Sequence, residues 1–183
     1  MDTVKKNKVV NLIVKSIRDK LGKYSPETNY MPFHTRLLGK DRMALYSFMQ
    51  SLNTTFGTTI YEPAAIAIAN DKFIEKERQF SPGSLISSEA QIIIQHILND
   101  LSTGKNQSIK ADEINLIRNV CQKGTIEKVR LTKIDIYLRS IDTVYMFDIK
   151  TVKPNIGEFK GFKRTLLEWA AAQLYIEPNI KIV

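Results

Sequence analysis

Three residues late in the chain have the types and spacing for phosphate-ester chemistry. Asp135 stands in Lys133-Ile134-Asp135-Ile136-Tyr137-Leu138, and two acid–base partners follow in Val144-Tyr145-Met146-Phe147-Asp148-Ile149-Lys150. If residues 140–143 close a hairpin symmetrically, Asp135 lies directly across from Asp148, their β-carbons roughly 4.5–5.5 Å apart. Lys150 is two residues further on and shares the face of Asp148. As a structural pair the two carboxylates repel each other. As ligands of one hard divalent cation they make sense: Mg2+ takes oxygen ligands at about 2.0–2.1 Å, uses one or two carboxylates, and keeps positions for water and phosphate. An ammonium beside it can orient the attacking water or stabilise charge on the phosphorane. The alternative is a solvated hairpin face whose alternating charges keep it soluble.

An acid two residues before a lysine is a weak pattern by itself. Among the 19 acidic residues only Asp148 and Glu158 have one. Glu158 lies next to Gly157 at an expected helix start, with no upstream acid in register, so only Asp148-Ile149-Lys150 has a strand setting and a matching acid.

The elements that must position these residues follow from periodicity. Residues 126–139 and 143–152 are rich in Ile, Val, Tyr, Leu and Thr and hold no Gly or Pro, which is strand composition. Upstream, residues 4–21 repeat Val10, Ile13, Val14, Ile17 and Leu21 at helical spacing, and Gly22 fits a helix end. Residues 24–38 read as a loop, about 40–52 as a second helix, 53–59 as a break, 60–69 as an apolar segment and 71–79 as a charged, solvated run. Ser87 or Ser88 can cap a helix reaching about Leu101, and 112–121 is a further short helix. Pro154 and Gly157 precede a helix over about 158–175, and a last strand is expected at 180–183. The order predicts an α/β (α+β) fold, with residues 1–80 an N-terminal helical region and 81–183 a core packed with it as one compact domain.

Composition narrows the class. Hydrophobic residues are 43% and charged residues 25% of 183, which is enough apolar content for a core and argues against disorder. The single cysteine, Cys121, excludes a disulfide framework, and with only His34 and His96 beside it a zinc site lacks ligands. This usage fits a reducing, cytoplasmic setting. No signal peptide is visible and no run approaches the roughly 20 apolar residues of a membrane span. The +8 net charge favours a polyanionic partner, nucleic acid being the commonest.

Asp135, a gap of twelve residues, then Asp148-Ile149-Lys150 resembles the PD-(D/E)xK nuclease signature, with Ile134 in place of its proline. The resemblance implies an αβββαβ core and a further Glu on an earlier helix. Two residues are candidates for that Glu. Glu62 lies in Gly57-Thr58-Thr59-Ile60-Tyr61-Glu62, similar to the G-x(3–4)-E of such nucleases, and Glu89 begins the helix nearer the strands. Either carboxylate can equally be a solvated helix-terminal group. More narrowly, Met31-Pro32-Phe33-His34-Thr35-Arg36-Leu37-Leu38-Gly39 through residue 57, and the hairpin of 135–153 with the helix of 159–175, resemble the TdeIII family of type II restriction endonucleases. That likeness implies Mg2+-dependent cleavage of double-stranded DNA at a short palindrome of the GGNCC type. It further implies a two-fold homodimer and a cognate DNA methyltransferase as functional partner.

Basic residues offer DNA contacts: Lys160, Lys163 and Arg164 at the start of the last helix, Lys153 just past the hairpin, and Arg36 in a dense group with His34, Lys40 and Arg42. A solvated helix face, and for Lys153 a strand cap, are the competing readings. Lys5, Lys6, Lys8, Lys15 and Lys20 read as a solvated face with a diffuse electrostatic role. Gln173 can reach the site from the last helix or be an ordinary polar residue, and Trp169 is expected in the core. Three functions are thus in play: a restriction endonuclease, a repair or recombination nuclease of the same fold, and a DNA-binding protein without catalysis. Because the chain stops at the expected last strand, a C-terminal segment is also expected to be missing.

Overall fold

The computed structural model describes residues 3–25, 32–69, 73–151 and 153–183. Parts of the expected loop (26–31), of the charged run (71–72) and of the second strand (152) lie outside the described residues, as does Met31 of the restriction-enzyme resemblance. The chain forms two compact units, Met1–Asn70 with Ile149–Lys153, and Asp71–Asp148 with Pro154–Val183. We call them the helical unit and the sheet unit.

The helical unit contains α1 (Thr3–Lys23), α2 (Pro32–Leu38), α3 (Lys40–Phe56), a π-helical turn (Gly57–Tyr61) and α4 (Glu62–Ile68). In α1 the half-buried positions Val9, Leu12, Ile13, Ser16 and Ile17 form one face, the spacing expected of an amphipathic helix. That face is pinned where the Ser16 hydroxyl donates to Thr59 Oγ1 at 2.7 Å. Gly22 is the next-to-last residue of the helix, close to the expected end. The stretch read as a loop contains α2, started by Pro32, whose fixed φ suits a first helical turn. The expected break at 53–59 is absent. Gly57 keeps helical angles (φ −54°, ψ −64°), while the Thr55 and Thr59 hydroxyls bond back to the carbonyls of Ser51 and Thr55 at 2.7 and 2.9 Å. The chain absorbs the irregularity as one π turn instead of a loop.

The sheet unit holds a four-stranded sheet in the order β1-β4-β5-β6, built from β1 (Glu75–Phe80), β4 (Ile134–Arg139), β5 (Thr143–Phe147) and β6 (Lys181–Ile182). β4 runs antiparallel to both β1 and β5, and β6 runs parallel to β5. Parallel neighbours need a crossover, which α7 (Phe159–Ile176) supplies after a short 3-10 turn. A small second sheet pairs β2 (Leu85–Ser87) with β3 (Ile126–Lys128). Between them run α5 (Ser88–Thr103) and α6 (Lys110–Arg118). The mixed α/β class is as expected, but residues 126–139 are two strands in two sheets. The charged run also hides a strand, because β1 shows no apolar alternation.

The core lies in the sheet unit: Ile86, Ile94 and Leu98, Ile117, Tyr137, Val144, and Leu167 through Leu174 of α7. Consecutive Ala170, Ala171 and Ala172 let α7 approach closely, and Trp169 is 2% exposed with its indole N–H donating to the Thr132 carbonyl at 2.9 Å. Ser87 caps α5, accepting from the Ala90 N–H at 3.1 Å, and Gly104 ends it at φ 68°. Arg139 pairs with Glu177 through both guanidinium nitrogens, at 2.9 and 3.0 Å, which ties β4 to the end of α7 and holds the guanidinium charged well above its usual range.

Candidate active site

The turn between β4 and β5 has its own chemistry. The Ser140 N–H donates to the Thr143 carbonyl at 2.8 Å, and the Thr143 hydroxyl donates to Asp142 at 2.9 Å, which lowers the Asp142 pKa. The register this turn imposes is the symmetric one: Arg139 pairs with Val144, Leu138 with Tyr145, Tyr137 with Met146 and Ile136 with Phe147. Asp135 and Asp148 are the next positions in that register. A slip of one residue would turn every side chain of β5 to the other face, so the turn chemistry governs which way the acids point. Both acids are half-buried. They share the face of Tyr137 and Met146, the face packed against the core. Burial pushes the Tyr137 phenol up.

Sequence reasoning missed the partner of Asp135. Gln79 donates its Nε2 to Asp135 Oδ1 at 3.0 Å. It lies between the paired positions Arg78↔Ile136 and Phe80↔Ile134, and its backbone has φ 51°. A left-handed conformation is uncommon for a residue other than Gly and costs on the order of 1–3 kcal/mol. It also breaks the alternation of β1. Phe80 stacks on Tyr137 with ring centres 4.0 Å apart, although strict alternation would put the two rings on opposite faces. No periodicity in the sequence marks Gln79, since strain of this kind is set by the paired strand.

The remaining candidates fall in both units. Asp148 ends the first stretch of the sheet unit, and the next residues, Ile149–Lys153 with Lys150 and Lys153 exposed, belong to the helical unit. In that unit the segment packs at Gly57, where an added β-carbon would come within 3.4 Å of Thr151. Gly57 opens the π turn that leads into Glu62, the first residue of α4, which is 1% exposed. Glu89, on the first turn of α5, is exposed. Glu158 accepts from the Asn155 N–H at 2.9 Å and so closes a local turn.

Of the basic residues proposed for DNA, Lys160 and Arg36 are exposed. Lys163 instead pairs with the buried Glu113 and donates to Ser108 at 2.9 Å. Arg164 contacts Gln95 and lies 3.6 Å from Glu168. Lys163→Met is therefore expected to lower stability by about 1–3 kcal/mol, because it strips a buried carboxylate of its cation. Urea unfolding of the variant checks this, and unchanged stability would contradict the structural role.

Asp135 on β4 and Asp148, the residue just after β5, offer hard oxygen donors, the set Mg2+ prefers. Among the described residues no group of three or more His, Cys, Asp and Glu side chains is arranged for a metal ion. Nor is any helix among them long and apolar enough to cross a membrane.

The family model described as type II restriction endonuclease HinfI matches residues 2–183, so the chain belongs to that family. The type II restriction enzyme MjaII of Methanocaldococcus jannaschii is 26% identical over 186 residues, covering 93% of this chain and 49% of that protein. The chain thus spans about half the length of the curated relative it matches. No solved structure matches. The likeness to type II restriction endonucleases is met through the HinfI family, and the narrower likeness to the TdeIII family is taken up next.

Proposed function

We propose that this chain hydrolyses phosphodiester bonds of double-stranded DNA as a site-specific endonuclease, with Asp135, Asp148 and Lys150 as its reactive core. The observation that carries the reading is the symmetric β4–β5 register, whose last pair, Ile136 with Phe147, stands one residue before Asp148 and one after Asp135, in a chain of restriction-enzyme family. The order α4, β1, β4, β5, α7, β6, with the parallel crossover made by α7, supports the αβββαβ core of PD-(D/E)xK nucleases.

Each residue has a task in this reading. Asp135 and Asp148 would hold Mg2+, and Gln79 keeps the Asp135 carboxylate oriented by its hydrogen bond. Bound Mg2+ supplies a Lewis acid that polarises the scissile phosphate. Lys150 is two peptide units from Asp148, so their α-carbons stay within about 7 Å. There its ammonium orients the water whose oxygen forms the new P–O bond, and stabilises the negative charge that builds up on phosphate oxygens as the old ester bond breaks. Glu62, rather than Glu89, is the supporting carboxylate, because burial at a helix start beside a π turn is the setting of a functional group more than of a solvated one. The reading extends to a palindromic target, of the GGNCC type if the likeness to the TdeIII family holds, to a homodimer, to a cognate methyltransferase and to action in the cytoplasm.

The test is incubation of plasmid DNA with the protein, with and without Mg2+, followed by sequencing of the fragment ends. Discrete fragments sharing one end sequence, formed only with Mg2+, are expected. Cutting without a divalent metal, or cutting confined to branched DNA, would overturn the reading, the latter in favour of a repair or recombination nuclease.

A further inference from the structure

The chain's positive charge is not spread evenly. Of the 27 basic residues twelve fall in the helical unit, against only five of the 19 acidic ones, leaving fifteen basic and fourteen acidic residues for the sheet unit. The helical unit therefore carries +7 of the formal +8. Ion pairs within the sheet unit hold Arg139, Lys163 and Arg164, so part of its basic complement already serves the fold.

Helix α1 concentrates this excess. Its half-buried face is anchored by the Ser16–Thr59 hydrogen bond. The other side carries Lys8, Asn11, Lys15 and Arg18, all exposed and spaced by three, four and three residues. That spacing makes one continuous stripe, about 15 Å long at 1.5 Å per residue. Two cation types and an amide suit phosphate oxygens, and carry no base-reading geometry by themselves.

We infer that the α1 stripe is a duplex-DNA phosphate-binding surface, and that the helical unit supplies most of the electrostatic grip while the sheet unit supplies the acids. The inference rests on the nuclease reading above, which names the duplex as substrate. It differs from the sequence expectation, which gave the DNA contacts to Lys160, Lys163 and Arg164 at the start of α7, to Lys153 and to Arg36, and gave α1 only a diffuse role.

The experiment is a salt titration of binding to a fluorescently labelled duplex in EDTA, so that no cleavage intervenes. The full chain is compared with a Lys8→Gln, Lys15→Gln, Arg18→Gln variant and with a control, Lys105→Gln, Lys110→Gln, Lys123→Gln, whose three lysines are exposed in the sheet unit. Each phosphate contact contributes about 0.9 to the slope of log K against log salt, so the α1 variant is expected to lose roughly 2–3 of slope and to bind about tenfold or more weakly at physiological salt. The control is expected to lose less than about 0.5 of slope. Equal losses in both variants, or an unchanged slope in the α1 variant while the parent protein binds and cuts DNA, overturn the inference alone. A parent protein that binds no duplex overturns the inference and the nuclease reading together. Circular dichroism of both variants verifies that these exposed substitutions leave the fold intact.

Discussion

Alanine at Asp148 or at Lys150 is expected to cut the rate of DNA cleavage by about a thousandfold or more, with folding unimpaired. The two substitutions remove different things. Asp148→Ala takes away half of the carboxylate pair that would hold the cation, while Lys150→Ala leaves the pair and removes the ammonium beside the water. Exposed Lys150 should change stability by no more than about 0.5 kcal/mol. Single-turnover cleavage on a duplex, measured beside thermal unfolding, separates the cases. Full activity in either variant would remove the hairpin from the mechanism, and inactivity with lost folding would show only that the hairpin is structural.

The choice between the two glutamates has the second-largest consequence. Glu62→Gln is expected to lower cleavage about a hundredfold, and Glu89→Gln to leave it within about threefold. Glutamine keeps the volume of a side chain that is 1% exposed, so packing is preserved while the charge is lost. The π turn sets the direction in which Glu62 leaves the helix, and its first residue, Gly57, meets Thr151 next to Lys150 in the chain. Glu89 is exposed on the first turn of α5, where a negative charge favours the helix dipole. Its neutralisation should instead cost about 0.3–1 kcal/mol of stability. A Mg2+ titration of the rate adds a second readout: Glu62→Gln should need more metal for half-maximal activity, Glu89→Gln should not. The reverse pattern would move the supporting carboxylate to α5.

Much of the hairpin was legible in the sequence because its determinants are local. Strand composition, a four-residue turn and alternation suffice to align β4 with β5, and Ser87 and the apolar period suffice for α5. Trp169 likewise lies in the core, as its place on the apolar face of α7 suggests. What escaped depends on partners distant in sequence. β1 is a strand because β4 pairs with it, although Glu75, Lys76, Glu77 and Arg78 have no strand character of their own. Gln79 takes a positive φ in that pairing, and its bond to Asp135 spans 56 residues. The α7 cations look like a DNA patch in one dimension, but Lys163 answers to Glu113, fifty residues away in the chain. The continuous helix from α3 through the π turn was hidden by Gly57, a residue that commonly ends helices and here does not.

The turn at 140–143 also bears on the order in which the sheet can assemble. Pairing β4 with β5 closes a loop of only a few residues, a step of microseconds with little loss of chain entropy. Joining β6 to β5 must await α7, and joining β1 to β4 must close a loop that holds α5 and α6. Contacts of such long range come late because their entropy is lost before they repay it. The β4–β5 hairpin beside the two aspartates therefore forms on the shortest-range contact of the sheet, before the strand bearing Gln79 can reach it.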